Sequence, residues 1–208
     1  MQTQITAPIP LLNDAGELTQ PGYAKSLLPV YRRAHVKASP LRLKEWDYYL
    51  IANDRFAVAL TIADNGYMGL DSISFLHFGQ VWEQTKSVMR WFPMGRTNLP
   101  ETSASGDSTI TGKNYALSFR HENGGRVLTF RMDDFRDGQP ISGRITLTDE
   151  PPESMVIATP FAKPRRFYYN QKINCMAASG TVTLGDQTYT FDPADTSAVL
   201  DWGRGVWT

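Results

Sequence analysis

Large apolar residues alternate with small or polar ones along most of the chain, and this two-residue period constrains the fold more than any other feature. Between Phe56 and Ile62 every second residue is large and apolar, and the residues between them are Ala, Ala and Thr. Successive side chains of a strand point to opposite faces, so this alternation is typical of a half-buried strand. No segment shows the period of a helix longer than three turns. The sequence therefore predicts an all-β protein.

Turn signals recur at short intervals and divide the chain into about ten predicted strands. In the first of them the alternating apolar residues are Leu41 and Leu43, then Trp46, Tyr48 and Leu50. The phase slip at Lys44-Glu45 predicts a β-bulge, because one extra residue re-aims the face. The pattern favours an antiparallel barrel or a strongly bent sandwich, in which closure would remove exposed strand edges. The predicted strands cover residues 41–50, 56–62, 67–78, 81–92, 141–147, 155–161 and 167–178, with hairpins over 115–132 and around 185–186.

The most specific hairpin signal lies at Asn123-Gly124, because both residue types tolerate the positive φ angles of a two-residue primed turn. A shift of the turn to Gly124-Gly125 keeps the parity, so the same apolar face results from either choice. Gly185-Asp186 predicts a second turn. Folding the chain at Asn123-Gly124 predicts three buried apolar pairs: Phe119 with Leu128, Leu117 with Phe130, and Tyr115 with Met132.

Prolines and loop-forming residues set the expected domain limits. Prolines make residues 1–33 an irregular lead-in, and residues 34–208 are expected to form the β-barrel domain. Residues 91–107 contain two prolines and four Ser or Thr residues. They predict a long loop.

Charge and composition argue against several classes of function. Lys plus Arg equals Asp plus Glu, 21 of each, so the net charge is zero and nucleic acid is not an expected partner. The apolar runs are too short to cross a bilayer, so no membrane span is expected. The N-terminus lacks a signal-peptide pattern, there is one cysteine, and Asn-x-Ser/Thr does not occur. We therefore expect a cytoplasmic protein.

The sequence contains none of the common catalytic motifs, such as a phosphate loop, His-Glu-x-x-His or Gly-x-Ser-x-Gly. The three histidines, His35, His77 and His121, never share metal-ligand spacing, so neither a metal nor another cofactor is expected. His77 follows Ile73 and Phe75 on one predicted strand face. It is therefore either a packed core histidine or part of the wall of a ligand cavity.

Segment 167–176 has one polar face. The face lies either against water or along the polar part of a ligand cavity, where amide and ammonium groups would orient a ligand carbonyl or hydroxyl. Cys175 falls on the opposite, apolar face and is predicted to be an inert packing residue. The polar face carries Tyr168, Asn170, Lys172 and Asn174.

Segment 201–207 combines an acid, an arginine and two indoles. Its two glycines allow close backbone packing, so that Arg204 can pair with Asp201 or stack on Trp202 or Trp207. One interpretation is a structural corner. The other is that Asp201 is a general acid or a ligand anchor.

Segments 153–161, 167–176 and 201–207, together with Gly180, resemble a bacterial family known as domain of unknown function 2804. The resemblance covers most of the chain. That family is distantly similar to lipocalin-like calycins, among them carotenoid 1,2-hydratases and tocopherol cyclases, which carry two lipocalin-like β units and act on apolar isoprenoids. The resemblance implies a lipocalin-like barrel and an apolar ligand, but no established activity.

Members of this family extend beyond the point that matches the end of this chain. Residues 205–207, Gly-Val-Trp, also fit the lipocalin Gly-x-Trp signature that opens the first strand of a barrel. The resemblance therefore implies that this chain is the N-terminal half of a longer protein, with a second β unit after Thr208 as its partner.

Two functional hypotheses follow. The first is a protein that binds an apolar or amphipathic small molecule in a barrel cavity, with hydratase- or cyclase-like acid chemistry. Asp201 would be the acid, Lys172 and Asn174 the polar anchors, and Arg204 the group that sets the charge state of Asp201. The further expected ligand contacts are Asn170, Tyr168, Trp202, Trp207 and His77. The alternative is a non-catalytic structural or protein-interaction β module, which a barrel filled by its own side chains would favour.

Overall fold

The computed structural model describes residues 3–207, and β-structure dominates them. Two 3₁₀ turns, Arg33–His35 and Pro40–Arg42, are the helical elements of this range. The strands are β1 (Ile9–Pro10), β2 (Gly22–Ala24), β3 (Pro29–Val30), β4 (Leu43–Ala52), β5 (Phe56–Asp64), β6 (Met68–His77), β7 (Trp82–Trp91), β8 (Ser108–Thr111), β9 (Tyr115–Glu122), β10 (Gly125–Arg136), β11 (Gln139–Thr148), β12 (Met155–Pro160), β13 (Phe167–Leu184), β14 (Gln187–Phe191) and β15 (Ser197–Val206).

Thirteen of these strands form one antiparallel sheet, whose main path of ten strands curls into a half-barrel. The order along the path is β7-β6-β5-β4-β15-β13-β11-β10-β9-β8. β12 and β14 pair with β13, and β2 pairs with β12, while β1 and β3 form a separate parallel pair. The predicted all-β, antiparallel, strongly bent fold of about ten strands is confirmed.

The half-barrel is not closed by a hydrogen-bonded ladder. Within residues 3–207, β7 pairs only with β6 and β8 only with β9. Lys86 of β7 donates to the carbonyl oxygen of Asp134 in β10 at 2.7 Å. Side-chain contact therefore links the edge strand β7 to the far side of the sheet.

The central hairpin has the predicted register. Phe119 pairs with Leu128, Leu117 with Phe130, and Tyr115 with Met132. All six are buried. The turn residues adopt the positive φ angles that the turn type requires, 50° at Asn123 and 78° at Gly124.

β4 runs without the predicted bulge, and its inner face carries charges. It pairs with β5 and β15 without a register shift, so Glu45 and Asp47 point inward and Trp46 points outward. Arg33 Nε donates to Glu45 Oε1 at 3.0 Å, and Arg204 Nη2 donates to Asp47 Oδ1 at 3.0 Å. The predicted bulge is wrong because paired buried charges occupy inner positions where apolar residues were expected.

A bulge lies instead in β13. The pairing of β13 with β15 shifts register between Ile173 and Met176, and Cys175 has a φ of 62°. The extra residue exchanges the faces, so that Met176 is buried and Cys175 is exposed. The prediction that Cys175 packs on an apolar face is therefore wrong.

Side chains fill the interior of the half-barrel. Phe75, Phe135 and Trp202 are among the largest fully buried ones. The space between the loop and the side chains of Tyr49 and Trp202 has a volume of about 10 Å³, room for roughly one water molecule. Small-molecule sites usually measure about 300–1,000 Å³. The described interior therefore does not offer the expected barrel cavity at its polar centre, because its own side chains occupy the space.

The predicted long loop is observed at residues 92–107, and inner-face charges hold it. The backbone N–H of Gly95 donates to Asp64 Oδ2 at 2.8 Å. Arg204 Nη2 donates to the carbonyl oxygen of Pro100 at 2.7 Å. The buried charges of the half-barrel thus satisfy the loop backbone, which would otherwise lose hydrogen bonds on burial.

The lead-in packs against the rest of the fold. β2 pairs with β12 at an edge of the large sheet, and Ile5, Leu11 and Leu12 join the hydrophobic core. The boundary at residue 33 stays a prediction.

Candidate functional site

Three neighbouring strands, β4, β15 and β13, bring several of the predicted site residues together on the outer face of the sheet. Asp201 is directly opposite Lys172 of β13 and Tyr48 of β4. Gly203 is opposite Asn170. Residues two apart on a strand share a face, so these positions form one surface.

The Asp201 carboxylate accepts hydrogen bonds from three donors. Oδ1 accepts from Trp46 Nε1 at 3.0 Å and from Asn170 Nδ2 at 2.6 Å. Oδ2 accepts from Lys172 Nζ. The ion pair is partly open to solvent, with side-chain exposures of 24% for Asp201 and 33% for Lys172.

Three aromatic rings lie on the same face, and one of them, Trp46, bonds the Asp201 carboxylate. Trp46 stacks on Tyr168 with ring centroids 6.0 Å apart, and Trp207 meets Trp46 edge-on at 5.8 Å. Trp207 is 42% exposed. Aromatic faces beside a polar anchor suit a ligand with apolar and polar parts. We call the six residues Trp46, Tyr168, Asn170, Lys172, Asp201 and Trp207 the Asp201 cluster.

Gly203 makes room for the central indole. A Cβ atom at this position would lie 2.0 Å from the ring of Trp46. The glycine therefore lets Trp46 lie flat across β15, with its ring N–H within reach of Asp201.

Burial, and next the negative charge of Asp201, raise the pKa of Tyr168 to about 12. The same two causes raise the pKa of Tyr48. Both phenols are therefore neutral at physiological pH and keep a hydroxyl hydrogen to donate.

Arg204 does not pair with Asp201. The two residues are an odd number of positions apart on β15, so Arg204 points inward and is fully buried. Its guanidinium bonds Asp47 and lies 4.3 Å from the ring of Trp202, which is also buried. The predicted Asp201–Arg204 pair is wrong, whereas the alternative stacking of Arg204 on Trp202 is confirmed.

Two further predicted site residues lie outside the cluster. His77 is at the end of β6, where its ring packs near Trp82 and Tyr189 and its Nδ1 accepts from the backbone N–H of Gln80 at 3.2 Å. Asn174 is exposed at the bulge of β13. His77 and Asn174 therefore do not share a site with Asp201, and their predicted ligand roles stay predictions.

The cluster retains unused hydrogen-bonding capacity. Among residues 3–207, the buried Oδ1 of Asn170 has no partner, and Lys172 donates one of its three hydrogens to Asp201. A buried amide oxygen without a partner is unfavourable. Lys172 can therefore offer further ammonium hydrogens to a bound polar group, whereas the Asn170 oxygen is not accessible from the outer face.

Trp46 and Tyr48 are site residues that the sequence reasoning missed. Their alternation placed them in a strand, but the assumed bulge assigned their face to the core. The signal that could have corrected this was the pair of acids Glu45 and Asp47, which alternate with Trp46 and Tyr48 along the strand. Those acids mark an inner face only when their buried arginine partners are known.

Two observations concern other kinds of site. Within the described range 3–207, His, Cys, Asp and Glu side chains form no group of three or more that could hold a metal ion. In the same range no helix has the length and apolar character needed to cross a bilayer.

These features define the class: an all-β protein with an antiparallel, lipocalin-like half-barrel and a polar-aromatic cluster on its outer face. The chain belongs to the family described as domain of unknown function (DUF2804), which matches residues 2–208. No curated protein matches the chain in sequence.

Two solved structures are similar in shape. One is a candidate AttH from Nitrosomonas europaea, with a TM-score of 0.49 and 12% identity over 80% of this chain and 52% of that one. The other is kievitone hydratase from Nectria haematococca, with a TM-score of 0.48 and 12% identity over 95% of this chain and 57% of that one. The chain thus spans somewhat more than half the length of either protein.

Proposed function

We propose that the chain binds an amphipathic small molecule on the outer face of its sheet, at the Asp201 cluster. The observation that carries this proposal is the partly exposed Asp201–Lys172 ion pair, which Trp46 links to the rings of Tyr168 and Trp207. The packed interior is the reason for placing the ligand outside the half-barrel.

The contacts divide between the two parts of such a ligand. A hydroxyl or carbonyl oxygen would accept from the partly exposed ammonium group of Lys172. The apolar part would lie against Trp207 and Tyr168. Burying one aromatic-sized surface contributes about 2–3 kcal/mol, which gives the apolar part a large share of the affinity.

The proposal extends from binding to acid chemistry of the hydratase or cyclase kind, with Asp201 as the acid. Asp201 accepts from three donors in this structure, and a carboxylate in that arrangement has no proton to give. A role as acid therefore requires that the ligand, or a second β unit after Thr208, displace Lys172 from Oδ2. Thr208 itself lies outside the described residues.

An interaction module is the second candidate. The filled interior favours it. The second β unit is the partner proposed for such a module. A cytoplasmic location is likewise proposed, from the single cysteine.

Fluorescence titration tests the binding proposal. We expect farnesol, an isoprenoid alcohol, to change the tryptophan emission of the wild-type protein with saturation. Trp207→Ala should weaken binding at least about tenfold, since it removes an aromatic contact worth more than 1.4 kcal/mol.

Trp91→Ala is the matched control. Trp91 is also on the outer face but at the far edge strand β7, and it is 67% exposed. Its removal should leave farnesol affinity unchanged. Equal affinities of all three proteins, or no saturable change in any of them, would reject the ligand site and favour the interaction module.

A further inference from the structure

A groove at the end of the half-barrel forms a second place where a ligand fits. It lies between the turn of the β9–β10 hairpin and the end of β11, and its volume is about 340 Å³. Leu147 and Met176 form apolar parts of its wall, and Arg126, Glu150 and His121 form polar parts. The groove is distinct from the Asp201 cluster and shares no residue with it.

Arg126 is the central charge of this groove. It is only 4% exposed. Its Nη1 donates to the carbonyl oxygen of Ser103 at 2.8 Å and to the hydroxyl of Tyr49 at 3.3 Å, and it lies 3.0 Å from Nε2 of His121. These contacts fix one side of the guanidinium, so its orientation does not depend on a ligand.

The other side of the guanidinium holds a carboxylate supplied by the chain itself. Nε and Nη2 of Arg126 donate to Glu150 Oε2 at 3.1 and 2.7 Å. Glu150 follows the end of β11, and its side chain is 46% exposed. A buried arginine is therefore paired with an acid that can swing into solvent, and the geometry already suits a carboxylate.

We propose that Arg126 binds the carboxylate of an amphipathic acid, which displaces Glu150 and lays its apolar chain against Leu147 and Met176. The planar guanidinium fork matches a carboxylate with two parallel hydrogen bonds. A phosphate would bring a second negative charge close to Glu122, which also lines the groove. The site therefore selects a singly charged carboxylate.

Calorimetric titration with octanoate and octanol tests this proposal in a carboxylate-free buffer. Glu150→Ala removes the competing acid, so we expect it to bind octanoate at least about tenfold more tightly than wild type. Octanol affinity should not change, because the alcohol makes no ion pair. Arg126→Lys keeps the charge but loses the fork, so the preference for octanoate over octanol should become smaller without disappearing.

Glu153→Ala is the matched control. Glu153 is an exposed acid whose partner is Lys25, away from the groove, and its removal should leave octanoate binding unchanged. Thermal melts of each variant check that the fold is retained. Equal octanoate affinity of wild type and Glu150→Ala would overturn the proposal, as would an equal gain for octanol.

Discussion

Asp201 and Arg204 are three residues apart on β15, yet they lie in different environments. Asp201 is on the outer face, where solvent reaches part of its carboxylate. Arg204 is fully buried, where it bonds Asp47 and the carbonyl oxygens of Trp46 and Pro100. The parity of the strand therefore separates a residue available to a ligand from a residue that holds the fold.

This difference predicts opposite effects of substitution. Arg204→Met should destabilise the protein by about 3–5 kcal/mol, because it leaves the carboxylate of Asp47 buried without its cation. Asp201→Asn should change the free energy of unfolding by less than about 1 kcal/mol, as is usual for partly exposed ion pairs. Denaturant unfolding measures both values. A loss of several kcal/mol in Asp201→Asn would instead assign Asp201 a structural role.

At the scale of elements, features set by neighbouring residues could be predicted from the sequence. Features that depend on a charged partner far away in the chain could not. The hairpin at Asn123-Gly124 could be predicted with its register because turn chemistry and apolar parity lie within eighteen residues. The inner face of β4 could not, because the arginine that neutralises Asp47 is 157 residues away. Because of the same error, the outer position of Trp46 was not predicted, and the aromatic part of the candidate site was missed.

The close packing of Trp46 on Gly203 of β15 can be tested by substitution. Gly203→Ala would place a methyl group within 2.0 Å of the Trp46 ring, so we expect a loss of stability of about 1–3 kcal/mol from overpacking. Gly79→Ala is the control, because its nearest new contact would be an ordinary 3.6 Å. Thermal melts compare the two. Equal melting temperatures would show that Trp46 can move away from β15 without loss of stability.

At the scale of the whole molecule, the half-barrel is stabilised by its filled interior and by a loop fixed to buried charges. A closed barrel was one of the two predicted forms, but within residues 3–207 β7 and β8 are edge strands, and residues 92–107 bond Asp64 and Arg204 of the inner face. A filled interior leaves the outer face and the end of the half-barrel as the places for ligands. The central claim is that the outer face binds an amphipathic small molecule at the Asp201 cluster.

The indole N–H signals of the five tryptophans in a ¹H–¹⁵N NMR spectrum test this claim most directly. Each signal can be assigned with a Trp→Phe variant, and farnesol is then titrated into the wild-type protein. Signals of Trp46 and Trp207 should move with saturation, because both indoles belong to the Asp201 cluster and Trp46 donates to Asp201. Those of Trp82, Trp91 and the buried Trp202 should stay in place. A shift of Trp202 without Trp46 would place the ligand in the interior and contradict the account.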